Sequence, residues 1–220
     1  MLKERLCKII SKFNPLLGEM LSEYGLDIRQ SYKLSKRCGG RIFVYKNTNA
    51  YISPSAKVDI KGTLKIGKCW QDFRPAKTNF VIGDNATLCV KGNYRIYSGS
   101  RVAVNRGATL VLGANGFMNM HTNLRCFERI TVGDNVKISE EVIISDSDNH
   151  MIKRDNYKPA IPIEIGNHVL IGLRSMILKG TKIGDGAIIA AAAVVLRDVP
   201  ERSLVGGLPA KVIKENIDWE

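Results

Sequence analysis

The residues best suited to acid–base chemistry lie in the segment Ser145–His150, whose sequence is Ser-Asp-Ser-Asp-Asn-His. Histidine is the usual general base in enzymes because its ordinary pKa lies near neutral pH. A carboxylate beside the imidazole would fix its tautomer and stabilise its charged form. Asp146 and Asp148 alternate with His150, so an extended chain would place all three side chains on one side. The pattern predicts His150 as a general base oriented by Asp148 or Asp146, and we prefer Asp148.

A repeat of six residues indicates the elements that must position this segment. Aliphatic residues occupy every sixth position in one long stretch: Ile165, Ile171, Ile177, Ile183, Ile189 and Val195. A helix would repeat its apolar face every three or four residues, and a half-buried strand every two. A period of six is typical of a solenoid in which each side is a short strand and a turn. With three sides to a coil, Ile165 would stack on Ile183 and Ile171 on Ile189, about 4.8 Å apart.

The repeat has clear limits, which predict how the chain is organised. It begins irregularly near Ile42, stops between Ser145 and Pro162, and ends after Val195. Before it, apolar spacing predicts a helix ending at Pro15 and a second helix near Leu16–Tyr24. We therefore predict a helical cap segment over 1–41, a β-helix over 42–199 and a tail helix over 200–220. The active-site loop is predicted over 145–164, because loops that leave a regular scaffold often carry function.

Three stretches of the repeat carry a family resemblance: Ile165–Gly172, Gly180–Gly186 and Gly206–Lys214. They resemble the hexapeptide-repeat acyltransferases, most closely the sugar O-acetyltransferase branch that includes galactoside and capsular-polysaccharide acetyltransferases. The resemblance extends over Ile82–Lys214. It implies an all-β solenoid, a left-handed parallel β-helix with an N-terminal helical segment and a short C-terminal helix.

The resemblance also implies a reaction. Acetyl-CoA would be the acyl donor, and a sugar or polysaccharide-precursor hydroxyl would attack its thioester directly, without a metal. His150 lies where the family carries its catalytic histidine. Met151 follows it, where galactoside acetyltransferases usually have proline, so the acceptor stays open. Family members are homotrimers with active sites between neighbouring solenoids, which we expect here too.

Binding residues are implied in the same way. Asn119 lies where galactoside acetyltransferases hold the acceptor with an asparagine, His121 falls beside it, and Glu128 matches an acidic acceptor contact more loosely. Coenzyme A needs small residues along its pantetheine arm and fixed positive charge at its phosphates. The matching positions are Gly172, Ala191, Arg197, Lys211 and Lys214.

Three other functions stay open. An N-acetyltransferase acting on an amino sugar would use the same base and carrier groove. A metal-dependent carbonic anhydrase on the same solenoid would need three converging histidines, but His121, His150 and His168 include no pair four or five residues apart. The third alternative is an inactive scaffold solenoid. We expect His168, which follows a corner glycine in a regular coil, to point outward and bind nothing.

The composition of the chain limits its expected binding partners and cellular location. The net charge is +12, and residues 1–50 hold ten Lys and Arg against four acids. No nucleic-acid motif accompanies this charge, so we expect no nucleic-acid partner. No apolar run approaches the ~20 residues that span a bilayer, and the five cysteines are scattered. We expect a cytoplasmic protein with reduced thiols. A second interpretation adds contact with the inner face of the membrane through a basic amphipathic N-terminal helix.

Overall fold

The computed structural model describes residue 7 and residues 10–70, 74–153 and 155–220 of the chain. In this part the strands are, in chain order, β1 (Arg41–Val44), β2 (Thr48–Ile52), β3 (Lys57–Ile60), β4 (Thr63–Lys68), β5 (Thr78–Ile82), β6 (Thr87–Val90), β7 (Tyr94–Tyr97), β8 (Arg101–Val104), β9 (Thr109–Leu112), β10 (Gly116–Met118), β11 (Asn123–Cys126), β12 (Arg129–Val132), β13 (Lys137–Ile138), β14 (Ile143–Ser145), β15 (Ile163–Ile165), β16 (Leu170–Ile171), β17 (Met176–Leu178), β18 (Lys182–Ile183), β19 (Ile188–Ile189), β20 (Val194–Val195), β21 (Leu204–Gly207) and β22 (Ala210–Lys214).

These strands form a three-sided solenoid. Sheet I has the order β1-β4-β7-β10-β13-β16-β19-β21-β22, sheet II the order β2-β5-β8-β11-β14-β17-β20, and sheet III the order β18-β15-β12-β9-β6-β3. Within each sheet every third strand along the chain pairs in parallel, except at the end of sheet I, where β21 follows β19 in parallel and β22 pairs with β21 antiparallel. Consecutive strands therefore occupy different sides of the prism, and three of them complete one coil.

The core is a stack of inward-pointing aliphatic side chains. Ile165 pairs with Ile183 and Ile171 with Ile189, as predicted, and all four are at most 3% exposed. Partners in sheet I lie 22 residues apart in the first coil, 20 in the middle and 18 near the end. A strict period of six needs coils of 18 residues, which explains why the repeat is clear only in the last third of the chain.

Helices cover the first coil. α1 (Pro15–Ser22) begins after Asn14, whose Oδ1 accepts a hydrogen bond from the Leu17 N–H at 3.1 Å. The predicted helix boundary at Pro15 is confirmed, and residues 10–13 before it are also helical. α2 (Ile28–Cys38) begins at the Asp27 cap and was not specifically predicted. The predicted first helix lies partly outside the described residues, including Leu2, Leu6 and Ile9.

α2 satisfies backbone groups at the open edge of the solenoid. The Val44 N–H donates to the Ser31 hydroxyl at 2.8 Å, and the Ile42 N–H to Ser35 at 2.9 Å. On the next strand, Arg37 donates to the Ile52 carbonyl. Unpaired strand edges favour pairing with other chains, and here the side chains of α2 take the place of a preceding coil.

The predicted tail helix over 200–220 is wrong. This segment instead holds β21 and β22, joined by a turn at Leu208 and Pro209. β21 continues sheet I by pairing with β19, and the antiparallel β22 lies along its outer edge. Gly206, Gly207 and Pro209 are the poorest helix formers, which disfavours a helix here. In the described part of the chain, no helix combines the length and apolar character needed to cross a bilayer.

The chain after β22 folds back onto the solenoid through Trp219. Its indole ring stacks on the His168 imidazole, with centroids 4.2 Å apart and an interplanar angle of 4°. Its Nε1–H donates to the His168 carbonyl oxygen at 2.9 Å, and Lys137 Nζ lies 4.7 Å from the ring centroid. The expectation that His168 binds nothing is therefore wrong, since it anchors the tail.

We expect Trp219→Ala to lower the free energy of unfolding by about 1–2 kcal/mol, because it removes a stacked aromatic pair and a hydrogen bond. Trp219→Phe is the matched control, because it keeps a ring over His168 and loses only the indole N–H. Urea unfolding at pH 7 measures both. Equal stability of the two variants would show that the stack contributes nothing.

Candidate active site

The long interruption of the solenoid leaves sheet II after Ser145 and returns at Ile163, as the sequence predicts. Its two ends meet where Ser147 and Ala160 form an antiparallel bridge. The interruption, which we call the His150 loop, comprises residues 146–162. Its base is narrow and hydrogen-bonded, so the loop projects from one corner of the prism.

Asp146 fixes the base of the His150 loop. It is fully buried, and its carboxylate accepts hydrogen bonds from the backbone N–H groups of Phe127, Glu128 and Arg129 at 2.7–2.9 Å. Both oxygens are thus used at the corner between β11 and β12. Asp146 therefore holds the loop to the preceding coil and is not the carboxylate that orients His150.

Asp148 has partners other than the predicted one. Its carboxylate accepts from Lys179 Nζ at 2.6 Å and from the Tyr157 hydroxyl, and these hydrogen bonds lower its pKa below the ordinary value. The predicted contact with the His150 imidazole is not formed within the described chain. The prediction assumed an extended backbone, whereas Asn149 has φ 69, which turns His150 away from Asp148.

Asp148, Tyr157 and Lys179 form a cluster that ties together the two arms of the His150 loop. Lys179 Nζ lies 4.2 Å from the Tyr157 ring centroid and donates to the Lys158 carbonyl at 2.7 Å. The Tyr157 hydroxyl also lies 3.3 Å from the His150 carbonyl oxygen. The cluster therefore positions the backbone of His150, while the side chain of His150 is exposed.

Replacing Lys179 by methionine should raise the pKa of Asp148 toward its ordinary value of 3.8, since it removes the main donor that stabilises the charged carboxylate. In the wild type, the stabilisation from this lowered pKa is present above the ordinary pKa and is lost as pH falls through the lowered one. Carboxyl-carbon NMR titration measures the shift. Lys182→Met, which breaks the exposed pair with Glu164 at 3.4 Å, should leave Asp148 unchanged. An unaltered Asp148 titration in the Lys179 variant would contradict the assignment.

The predicted acceptor residues are divided between two corners. Asn119 and His121 lie in the turn between β10 and β11, where His121 has φ 60 and packs over Gly99. A side chain at position 99 would meet that imidazole, so the glycine makes room for it. Glu128 lies at the following corner, beside the base of the His150 loop. Within one chain, the structure brings Asn119 and His121 together and leaves Glu128 apart.

One column of residues links the predicted acceptor and coenzyme positions. The register aligns Ile96, Met118, Ile138, Ile171 and Ile189 in successive coils of sheet I. The residues that follow them form what we call the corner column: Tyr97, Asn119, Ser139, Gly172 and Ala190. Coils are spaced by about 4.8 Å, so Asn119 and Gly172 are separated by about 10 Å along the column.

Small residues at the lower end of the corner column leave space at the surface. A Cβ on Gly172 would lie 2.6 Å from the Ile189 carbonyl oxygen, so the packing of the coils itself requires glycine there. Ala191, which follows Ala190, is exposed. The structure is therefore compatible with an extended arm passing Gly172 and Ala191.

The predicted phosphate-binding cations lie near the C-terminal end of the solenoid. Lys211 and Lys214 are exposed on β22, at the end of sheet I, and Arg197 is exposed after β20 in sheet II. Lys211 pairs with Gly206 at the end of the corner column, Lys214 pairs with Leu204 at the other end of β21, and Arg197 lies beyond the next corner.

His121, His150 and His168 lie in different parts of the fold. In the described residues no group of three His, Cys, Asp or Glu side chains could hold a metal.

Trp70, Tyr157 and Lys179 were not predicted from the sequence. Tyr157 lies within the predicted loop, so its region was identified but not its role. Trp70 lies in a second interruption, between β4 and β5, and its Nε1–H donates to Asn119 Oδ1 at 3.2 Å. The only indication of Trp70 in the sequence was that a tryptophan lies in one of the early, irregular coils.

Comparison with known proteins supports the repeat and the fold. Residues 162–197 match the family described as the hexapeptide repeat of succinyl-transferase. The chain is 32% identical over 112 residues to galactoside O-acetyltransferase of Escherichia coli (strain K12), covering 50% of this chain and 55% of the relative. It is 50% identical over 56 residues to 2,3,4,5-tetrahydropyridine-2,6-dicarboxylate N-acetyltransferase of Enterococcus faecalis, covering 26% of this chain and 24% of the relative. The matches thus span about half and about a quarter of these relatives.

Solved structures share the architecture. The polysialic acid O-acetyltransferase OatWY superposes with a TM-score of 0.62 at 22% identity, covering 79% of this chain and 88% of that one. The polySia-specific acetyltransferase NeuO gives 0.56 at 24% identity, covering 76% and 90%. These likenesses confirm the left-handed β-helix predicted for the solenoid.

Proposed function

We propose that this chain belongs to the hexapeptide-repeat acyltransferase family, whose repeat it matches over residues 162–197, and that it is an acetyl-CoA-dependent O-acetyltransferase acting on a sugar hydroxyl. The observation that carries the proposal is the exposed His150, held on a loop that two buried or paired carboxylates tie to the solenoid. An exposed imidazole on a rigidly based loop is suited to meet a substrate bound outside the prism.

The residues of the corner column fit the acyl donor. Gly172 and Ala191 leave space for an extended arm, and Lys211 and Lys214 supply positive charge at the end where the phosphates would lie. Bound acetyl-CoA supplies the thioester carbonyl that is attacked. Asn119 would then lie about 10 Å beyond Gly172, on the side from which an acceptor sugar approaches.

Proton transfer is the step assigned to His150. Its imidazole takes the proton from the acceptor hydroxyl as that oxygen bonds to the thioester carbonyl carbon. When the carbon–sulfur bond breaks, the imidazolium returns the proton to the departing thiolate, so no net proton is gained or lost by the protein. Asp148, Tyr157 and Lys179 act as positioning residues, because they hold the backbone of His150.

A homotrimer is part of the proposal. Large apolar side chains are exposed on the flank formed by sheet II, including Met176 on β17 at 37% and Leu196 after β20 at 50% exposed. Exposed apolar surface of this kind is typical of protein–protein contacts. In a trimer, His150 of one chain would face the corner column of the next.

We also propose that the enzyme is located in the cytoplasm. A second interpretation adds contact with the inner face of the membrane through its basic N-terminal segment.

The test is release of free thiol from acetyl-CoA with purified protein and a panel of free, nucleotide-linked and lipid-linked sugars. We expect release that depends on one sugar class, with an O-acetyl product identified by mass spectrometry and its lability in mild base. Thiol release without any sugar would indicate hydrolysis. Absence of acetyl transfer to every sugar tested, in protein shown to bind coenzyme A, would contradict the proposal.

An amine acceptor is the second candidate, favoured by the N-acetyltransferase match over 56 residues. The same base and coenzyme groove could serve an amino sugar. The panel therefore includes sugars that carry a free amine. A product stable to mild base but labile to amide hydrolysis would identify N-acetylation in place of O-acetylation.

A further inference from the structure

An aromatic cluster lies at the upper end of the corner column, beyond Asn119. The Trp70 ring stacks on Tyr97 with centroids 4.7 Å apart and an interplanar angle of 13°, and Tyr97 meets Phe117 edge to face at 6.0 Å. Tyr97 is buried, whereas Trp70 is 45% exposed. One face of the indole is therefore held against the solenoid while much of the ring is open to solvent.

Trp70 is joined directly to the predicted acceptor contact. Its Nε1–H donates to Asn119 Oδ1 at 3.2 Å, and Asn119 Nδ2–H donates to Glu140 Oε1 at 3.3 Å. The amide of Asn119 is thus oriented by Trp70 on one side and Glu140 on the other. The aromatic plane and two hydrogen-bonding side chains form a single surface, which we call the Trp70 platform: Trp70, Asn119 and Glu140.

The combination of groups on the Trp70 platform suits a sugar ring. The face of an indole carries partial negative charge, and it attracts the C–H bonds that line one face of a pyranose. An amide and a carboxylate at the edge of the ring suit hydroxyl groups. No cation of the set predicted for the coenzyme phosphates lies here, since Lys211 and Lys214 are on β22 at the other end of the column.

Position along the column determines which part of an acceptor could reach Trp70. Tyr97 lies three coils above Gly172, or about 14 Å along the axis. A hydroxyl attacking a thioester near Gly172 belongs to a sugar near Ser139, which lies one coil from Gly172. Trp70 would then contact the neighbouring sugar of the same acceptor.

We infer that the Trp70 platform is a second sugar subsite, and that the acceptor is consequently a chain of at least two linked sugars. The inference rests on the proposed function, because the acetylated sugar is taken to lie between the platform and the coenzyme. A free monosaccharide would fill the reacting position and leave Trp70 uncovered. Linked sugars would bind more tightly through Trp70.

Fluorescence of Trp70 tests binding. The chain has two tryptophans, so Trp219→Phe leaves Trp70 as the sole indole emitter. The probes are maltotetraose, chitotetraose and an α2,8-linked sialic acid tetramer, each against its monosaccharide. We expect a saturable change with one oligosaccharide and none with its monosaccharide at equal concentration. A saturable change with coenzyme A alone would assign the platform to the donor and overturn the inference, as would no change with any oligosaccharide.

Kinetics test the consequence for turnover. We expect Trp70→Ala to raise KM for the oligosaccharide acceptor about ten-fold or more, and to lower kcat/KM for the monosaccharide by a clearly smaller factor. Trp70→Phe, which keeps an aromatic plane, should recover most of the loss and guards against misfolding. Tyr51→Ala removes an aromatic that is 50% exposed on β2, away from the platform, and should change neither value.

The two proposals fail separately. Acetyl transfer to oligosaccharides that is insensitive to Trp70→Ala would overturn the platform and leave the enzyme assignment intact. Oligosaccharide binding at Trp70 without acetyl transfer would overturn the enzyme assignment and leave the platform intact.

Discussion

Replacing His150 by alanine is expected to lower kcat for acetyl transfer by about 10²- to 10⁴-fold, the range that a positioned general base contributes. The free energy of unfolding should change little, because the side chain is exposed. Binding of coenzyme A should also persist, since His150 does not belong to the corner column. The measurement is steady-state thiol release, together with calorimetric binding of coenzyme A to the same preparation.

His168→Ala is the matched control for the loss of an imidazole. His168 anchors the tail through Trp219, so its removal should cost about 1 kcal/mol of stability and leave kcat near the wild-type value. The His150 assignment would fail if the His168 variant lost as much kcat as the His150 variant, or if His150→Ala retained more than a tenth of the wild-type kcat.

The second large effect is expected at Asp146, where alanine should lower the free energy of unfolding by about 3–5 kcal/mol. The reason is that three backbone N–H groups at the β11–β12 corner would lose the buried carboxylate that accepts their hydrogen bonds. Because the same carboxylate closes the base of the His150 loop, amide exchange in residues 127–129 and 146–148 should become faster. Denaturant unfolding and hydrogen exchange measure the two effects.

Asp134→Ala is the matched control, because the Asp134 carboxylate accepts one backbone N–H, from Ala114 at 2.7 Å, at another corner. Its loss should cost about 1 kcal/mol. Comparable costs for the two variants would contradict the structural role of Asp146. A stable Asp146→Ala protein with a strongly reduced kcat would instead support the alternative, that Asp146 acts on the His150 imidazole.

The sequence predicted the solenoid well because one physical constraint dominates it. Each coil must place an aliphatic residue on the axis, so the spacing of Ile165 and Ile183 determined their pairing. At the corners and in the loops, the direction of a side chain depends on the backbone conformation instead. The positive φ of Asn149 turns His150 away from Asp148. The tail over 200–220 was mistaken for a helix because the strand partner that it completes, β19, lies outside its own sequence.

The contacts made by the inserted segments could not be predicted from the sequence, for a different reason. Tyr157 and Trp70 find their partners across the fold, with Lys179 and Asn119, and neither partner is indicated by spacing along the chain. Periodicity determines where a regular coil goes, but it carries no information on how an irregular segment returns to it.

The serine hydroxyls of α2 have a consequence for assembly. A bare solenoid resembles a segment of fibre, because its first and last coils could each recruit another molecule end to end. Here Ser31 and Ser35 occupy the free side of β1, and the reversed strand β22 terminates sheet I at the opposite end. The α2 end of this sheet is thereby closed to axial pairing, and at the other end β22 replaces the parallel edge on which a further coil would continue the solenoid. This arrangement favours association through the flanks, as in the homotrimer proposed above, where rotation about a common axis yields a closed ring of defined size.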